Sequence, residues 1–226
     1  MFRYSALIIP FALSSCGILD NIADVQELES RAEELEAIVD NAGDIDELLA
    51  GNTESLQDIQ LLTEDNFAAR TGTTTYEGFA GWSIPDGNQE TVLTADAVIT
   101  ANFDDEVVTT EFTRWLGARL DANDSVLGGA FQDFDARGDI EFTNGEFVLD
   151  GGDISFVGDI SGELEFQGDD YGIDGSVEGS IANVEDDATG DLVETIAAGA
   201  VDDTVFTING EAVEGAEFGF GGEIVE

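Results

Sequence analysis

Tyr171-Gly172-Ile173-Asp174-Gly175-Ser176-Val177-Glu178-Gly179-Ser180-Ile181 places an apolar residue or a glycine at every second position, with small or polar residues between them. A side-chain period of two belongs to a β-strand with one face on a core and the other in water; a helix needs spacings of three and four. The same period returns at Tyr76, Gly78, Ala80, Trp82 and Ile84, and at Leu93, Ala95, Ala97, Ile99, Ala101 and Phe103. Shorter echoes of it follow at Val108 and Phe112, Phe131 and Phe134, Ile140 and Phe142, Phe147 and Leu149, Ile154 to Ile160, Leu164 and Phe166, Phe206 and Ile208, and Phe218 and Phe220. Asn144-Gly145, Asp150-Gly151-Gly152 and Asn209-Gly210 read as hairpin turns, because these residues tolerate the positive φ that tight turns require. Eight to ten short antiparallel strands within about 150 residues predict a closed barrel or a sandwich, closure being the usual way to remove exposed strand edges. Gly175 and Gly179 at inward positions suit the close packing of a small barrel. The stretch from Glu185 to Asp203 reads as a long loop carrying a short helix.

Glycine divides the chain: three of the 27 precede Gly72 and the rest follow from it. Before that point the period is helical. From Ile18 to Ala42, apolar residues at 18, 22, 25, 28, 32, 35, 39 and 42 fall on one helical face, with Gly43 a natural terminator. This amphipathic segment is either a stalk or partner-binding helix or a helix packed on its own domain. Short helical pieces continue through Ile45, Leu48, Leu49, Leu56, Ile59 and Leu62.

The first fifteen residues read as a secretory leader. Arg3 precedes an apolar run, Tyr4 to Leu13, of about ten residues, too short for a helix to span a hydrocarbon core of roughly 30 Å. Its end, Leu13-Ser14-Ser15-Cys16, resembles the lipobox of bacterial lipoproteins at every position of that motif. The resemblance implies cleavage before Cys16, acylation of its thiol and new amino terminus, and, with Gly17 following, an outer-membrane address. Three segments result: a signal peptide (1–15), a helical stalk or tether (16–71) and a β-barrel (72–226).

Composition excludes much. There are 51 Asp and Glu against six Arg, with no Lys and no His, a formal net charge of −45. Such a field rules out nucleic acid as a partner and repels anionic head groups. It also presses the compact state apart, so the fold is expected to lean on screening by salt or on bound cations, as in a protein from a saline habitat. Without His or Lys, and with its single Cys committed to lipid, the chain has no Ser-His or Cys-His nucleophile, no Schiff-base lysine and no His metal site. With no second Cys there is no internal disulfide.

Thr73-Thr74-Thr75-Tyr76-Glu77-Gly78, Leu93-Thr94-Ala95-Asp96, Ala101-Asn102-Phe103, and Asn209-Gly210 followed by Gly215, Gly221 and Gly222 resemble the eight-stranded barrel of transferrin-binding protein B, which recurs in surface lipoproteins such as factor H-binding protein. The resemblance spans residues 72 to 226 and implies a small antiparallel eight-stranded β-barrel. It carries over no binding residue, and the chain is too short for the two-lobed members.

Two stretches are candidate sites. Asp133, Asp135 and Asp139, with Gly138 in the sixth position, resemble a calcium loop, although Arg137 and Asn144 stand where that loop has ligands; the alternative is a solvated approach to a hairpin. Arg114-Trp115-Leu116-Gly117-Ala118-Arg119 concentrates Arg and Trp, the usual anchors of binding surfaces, and Arg114, Trp115 and Arg119 are the candidate ligand contacts; the alternative is that these arginines neutralise neighbouring acids. No cofactor is expected. The function expected is that of a lipid-anchored, non-enzymatic binding module for a protein or small solute, or, alternatively, of a structural envelope lipoprotein without a ligand. A hydrolase working through paired carboxylates needs no His, but nothing in the sequence selects one acidic pair.

Overall fold

Tyr171, Ile173, Val177 and Ile181 all turn into a packed interior, so the alternation of that stretch is the inward face of a barrel strand. The computed structural model describes residues 59–120, 134–150, 153–185, 192–201 and 203–225. Cys16, Asp133 and the helix expected over residues 18–42 lie outside the described residues. In chain order the elements are β1 (Ile59–Leu61), α1 (Glu64–Ala68), β2 (Thr73–Asp86), β3 (Gln89–Asn102), β4 (Val107–Leu120), β5 (Arg137–Asp150), β6 (Asp153–Phe166), β7 (Asp169–Glu185), β8 (Leu192–Ala200), β9 (Val205–Ile208), β10 (Glu211–Val213) and β11 (Glu217–Ile224). Eight of these strands form a ring in the order β8, β11, β2, β3, β4, β5, β6, β7 and back to β8, each pair antiparallel. The chain is thus mainly β, built on a closed eight-stranded antiparallel barrel.

The interior is filled by side chains. Tyr76, Trp82, Phe156, Phe166 and Phe220 are almost fully buried, and Trp82 meets Phe206 and Phe218 at ring-centroid distances of 5.9 and 6.4 Å. On β6 the inward residues are Phe156, Ile160, Leu164 and Phe166, while Asp159, Ser161, Glu163 and Glu165 face out. Apolar within and charged without is the reverse of a membrane-spanning barrel, whose outer wall must meet lipid.

The ring closes where β11 meets β2. Gly222 lies opposite Gly78 there, and the two backbones approach so closely that a Cβ on Gly78 would stand 2.2 Å from the Gly221 carbonyl oxygen. Only glycine fits such an approach. At the β9–β10 hairpin, Asn209 and Gly210 have φ of 52° and 79°, positive at both central residues as a type I′ turn requires.

Three readings need correction. The stretch expected to be a long loop with a short helix contains β8, which pairs with both β7 and β11 and closes the barrel. Thr195, Ile196, Ala197 and Ala198 are all buried, so small residues packed on both faces erased the alternation. Asn144-Gly145 is not a hairpin turn but a bulge inside β5, where the register against β6 shifts between Thr143 and Glu146 and Asn144 takes φ of 54°; a bulge and a tight turn share the need for positive φ. Residues 59–61, read as a helical piece of the tether, form β1, which pairs with β7 beyond the end of β6. Next to it α1 is capped by Thr63, whose hydroxyl accepts from the Asn66 N–H, and its Phe67 packs on Phe103 and Phe147 at the end of the barrel. We call this the proximal rim, since the N-terminal part of the chain arrives there, and the opposite end, with the β2–β3 and β6–β7 turns, the distal rim.

Candidate functional site

The wall of the barrel parts between β4 and β5. These strands pair at Val107 with Glu146, Val108 with Gly145 and Thr110 with Phe142, and then separate. They meet again at the bridge of Leu116 with Asp135, where the Gly117 N–H donates to the Phe134 carbonyl (2.7 Å) and the Ala136 N–H to the Trp115 carbonyl (3.1 Å). Between these two points Glu111 to Arg114 and Arg137 to Glu141 have no ladder partner across the seam. Along an antiparallel strand, alternate residues turn their N–H and C=O to the same neighbour. Ala136 bonds toward β4, so the backbone groups of Gly138 and Ile140 also face the open seam, whereas Asp139 and Glu141 bond to β6, opposite Glu163 and Ser161.

A bulge shapes the β4 side. Between Thr113 and Leu116 the register against β3 shifts, and Arg114 takes a left-handed φ of 55°, a conformation that disfavours a residue with a Cβ by roughly 1–2 kcal/mol. The extra residue lets Phe112 and Trp115, three apart, both turn inward, their ring centroids 6.0 Å apart, with Phe112 also packed on Phe220 at 5.3 Å. Strain of this kind collects where a strand is re-aimed around a site.

The result is a cleft of about 420 Å³ bordered by Phe112, Thr113, Arg114, Trp115, Asp135, Ala136, Arg137, Gly138 and Asp139. Trp115 is 5% exposed and its indole N–H has no acceptor; at the other end of the seam the buried Thr110 hydroxyl also lacks a partner. Buried polar groups are almost always bonded, so each exception calls for an explanation. The indole of Trp82 is likewise unpartnered, and both tryptophans belong to the packed core. Arg114 is exposed and pairs with Asp96 at 3.3 Å; Arg137 and Asp139 are exposed on the outer face of β5.

The structure therefore unites most of the two candidate stretches. Arg114 and Trp115 face Asp135 and Asp139 across one cleft, a juxtaposition that spacing within either stretch does not reveal. Of the residues in the calcium-loop reading, Asp135 precedes β5 and Asp139 lies within it, while Asp133 lies outside the described residues. Arg119 is elsewhere. It lies at the distal rim, where it donates to an Asp169 carboxylate oxygen and, at 3.1 Å, to the Tyr171 hydroxyl. Asn209 donates to the other Asp169 oxygen at 2.8 Å, and this bond, with that from Arg119, holds the Asp169 carboxyl below the usual range.

The proximal rim has a matching group that the sequence reading missed. Arg70 donates to Glu194 through both terminal guanidinium nitrogens, the Tyr76 hydroxyl donates to the same carboxylate, and the Arg70 guanidinium lies 5.1 Å from the centre of the Phe103 ring. Burial pushes the Glu194 carboxyl up, but the hydrogen bonds from Arg70 and Tyr76 together outweigh it and leave the carboxyl below its ordinary value. Burial, reinforced by Glu194, raises the Tyr76 phenol far above its normal range. Since the folded form depresses the Glu194 pKa, its contribution is fully present above the unfolded glutamate range and is lost as pH falls through the depressed value. Glu194→Gln should cost about 2–3 kcal/mol at neutral pH, Arg70 and Tyr76 losing their charged acceptor. Urea unfolding across pH should show that difference from the parent constant at neutral pH and shrinking in acid.

No family model, curated protein or solved structure matches this chain.

Proposed function

We propose that the chain is a lipid-anchored envelope protein whose barrel is a non-enzymatic binding module, with the β4–β5 cleft as its binding site. The observation that carries this reading is the parted seam: two strands of a closed barrel break their ladder between Thr110 and Leu116, and a cleft opens there. A purely structural barrel gains nothing from a break in its ladder, since each backbone hydrogen bond forgone gives up about 0.5–1.5 kcal/mol. Without His or Lys, acid–base chemistry in the cleft would fall to Asp135 and Asp139 alone. Glu217, whose carboxyl partial burial and the nearby Glu90 push up, lies on β11 away from it.

The anchor supplies the rest of the reading. With Cys16 acylated in the outer membrane, the tether delivers the chain to the proximal rim through β1, and the cleft lies in the half of the wall toward the distal rim. This arrangement, with the barrel resemblance to transferrin-binding protein B, is that of a surface lipoprotein presenting a recognition domain.

The test has two parts. Cells fed an alkyne-bearing fatty acid should label the parent chain but not a Cys16→Ser variant; label retained by the variant removes the anchor. Nuclear magnetic resonance of the full chain against a chemically broad fragment set should give saturable shifts that cluster on Phe112, Trp115 and Gly138. Hits scattered over the barrel, or none at all, reject the cleft as a site and leave the structural reading.

A further inference from the structure

We infer that the ligand of the cleft is a small zwitterion carrying an apolar or aromatic body, in the class of a free amino acid or short peptide. The inference rests on the binding-module reading and names the chemistry its site would take. Its lining carries two cations, Arg114 and Arg137, and two anions, Asp135 and Asp139. Arg114 is already paired with Asp96, as Arg70 and Arg119 are with carboxylates at the two rims, so Arg137 is the cation the cleft presents to a ligand.

Charge selects the ligand in two ways. A net anion is repelled by the field of the whole molecule, and a net cation is drawn equally to any of the many acidic stretches, so neither singles out this cleft. A zwitterion has no net charge to be repelled, and its two ends match a lining that offers both signs. Its carboxylate is an acceptor for the seam-facing N–H groups of β5, with the exposed Arg137 beside them. Its ammonium is a donor for the seam-facing carbonyls and for Asp139. The Phe112 and Trp115 rings supply an aromatic wall for an apolar body. A cleft of about 420 Å³ holds a ligand of this size and excludes a folded domain.

L-phenylalanine is the probe, with phenylacetate and phenethylamine as its two halves, each keeping the ring and one charge. In the full chain with ¹⁵N-labelled tryptophan, the two indole N–H resonances are assigned by Trp115→Phe. L-phenylalanine should shift the Trp115 resonance saturably and leave that of Trp82 in place, while each half-ligand binds about tenfold more weakly or worse, having lost a charged hydrogen bond. Arg137→Gln, an exposed change that leaves the core untouched, should weaken L-phenylalanine by about tenfold on the same grounds. Phenylacetate or phenethylamine binding as well as L-phenylalanine, an unaffected Arg137→Gln variant, or no shift of the Trp115 resonance overturns the inference. Fragment hits of another chemistry clustering at the cleft would then leave the binding-module reading standing.

Discussion

Replacing Gly78 by alanine is expected to cost about 3 kcal/mol or more, while the same change at Gly199 leaves stability within about 0.5 kcal/mol. Neither glycine has a positive φ, and the decisive difference between them is what a methyl group meets. At Gly78 the new Cβ falls 2.2 Å from the Gly221 carbonyl oxygen and 2.6 Å from the Gly222 Cα, so backbone must move, and it must move where β2 and β11 close the ring. At Gly199 the nearest atom is 3.8 Å away, an ordinary contact. Because total stability of a domain is about 5–15 kcal/mol, a loss of this size at the closing seam should leave Gly78→Ala visibly unfolded at moderate urea. Urea denaturation followed by tryptophan fluorescence measures both variants. Equal midpoints would mean that β2 and β11 do not approach as described.

Salt should have an effect of similar size. Like charges stand directly opposite one another on the outer wall: Glu77 faces Glu223, Asp139 faces Glu163 and Glu165 faces Asp170. Pairs of this kind destabilise a sheet locally, and a net charge of −45 adds repulsion over the whole molecule. Raising ionic strength from about 0.1 to 1 M shortens the screening length from roughly 10 to 3 Å and quenches most of both terms. The expected gain is several kcal/mol, a rise in Tm on the order of 10 °C for a domain of this size. Calorimetry of the full chain in sodium chloride measures it, and a Tm that stays level or falls would show that the acidic surface is not a burden to the fold.

The barrel was legible in the sequence wherever one face of a strand meets water. Tyr76 to Ile84, Leu93 to Phe103 and Tyr171 to Ile181 each kept the alternation because, apart from Phe79 and Val98, the residues between the inward ones are polar or small. It failed for β8, whose Thr195 to Ala198 are covered on both sides, and at Asn144-Gly145, where a bulge and a hairpin ask for the same residues. The cleft was half legible. Arg114 with Trp115, and Asp135 with Asp139, stood out by residue type, but an open seam is a fact about the register of two strands, and register is non-local. Arg119 belonged to the same short run as Trp115 yet points to the distal rim, since the position of a residue along its strand, more than its nearness in sequence, decides which part of the barrel it serves. The proximal group of Arg70, Tyr76 and Glu194 was invisible for a like reason: its members come from the entry to β2, from β2 itself and from β8.

Everything proposed for the cleft depends on β4 and β5 being parted, and amide hydrogen exchange of the full chain reads this directly. Gly138 and Ile140, whose N–H groups face the gap, should exchange orders of magnitude faster than Asp139 and Glu141, which bond to β6. Such alternation along a single strand is the predicted result. Uniform protection from Arg137 to Phe142 would mean that the seam is closed and would contradict the account.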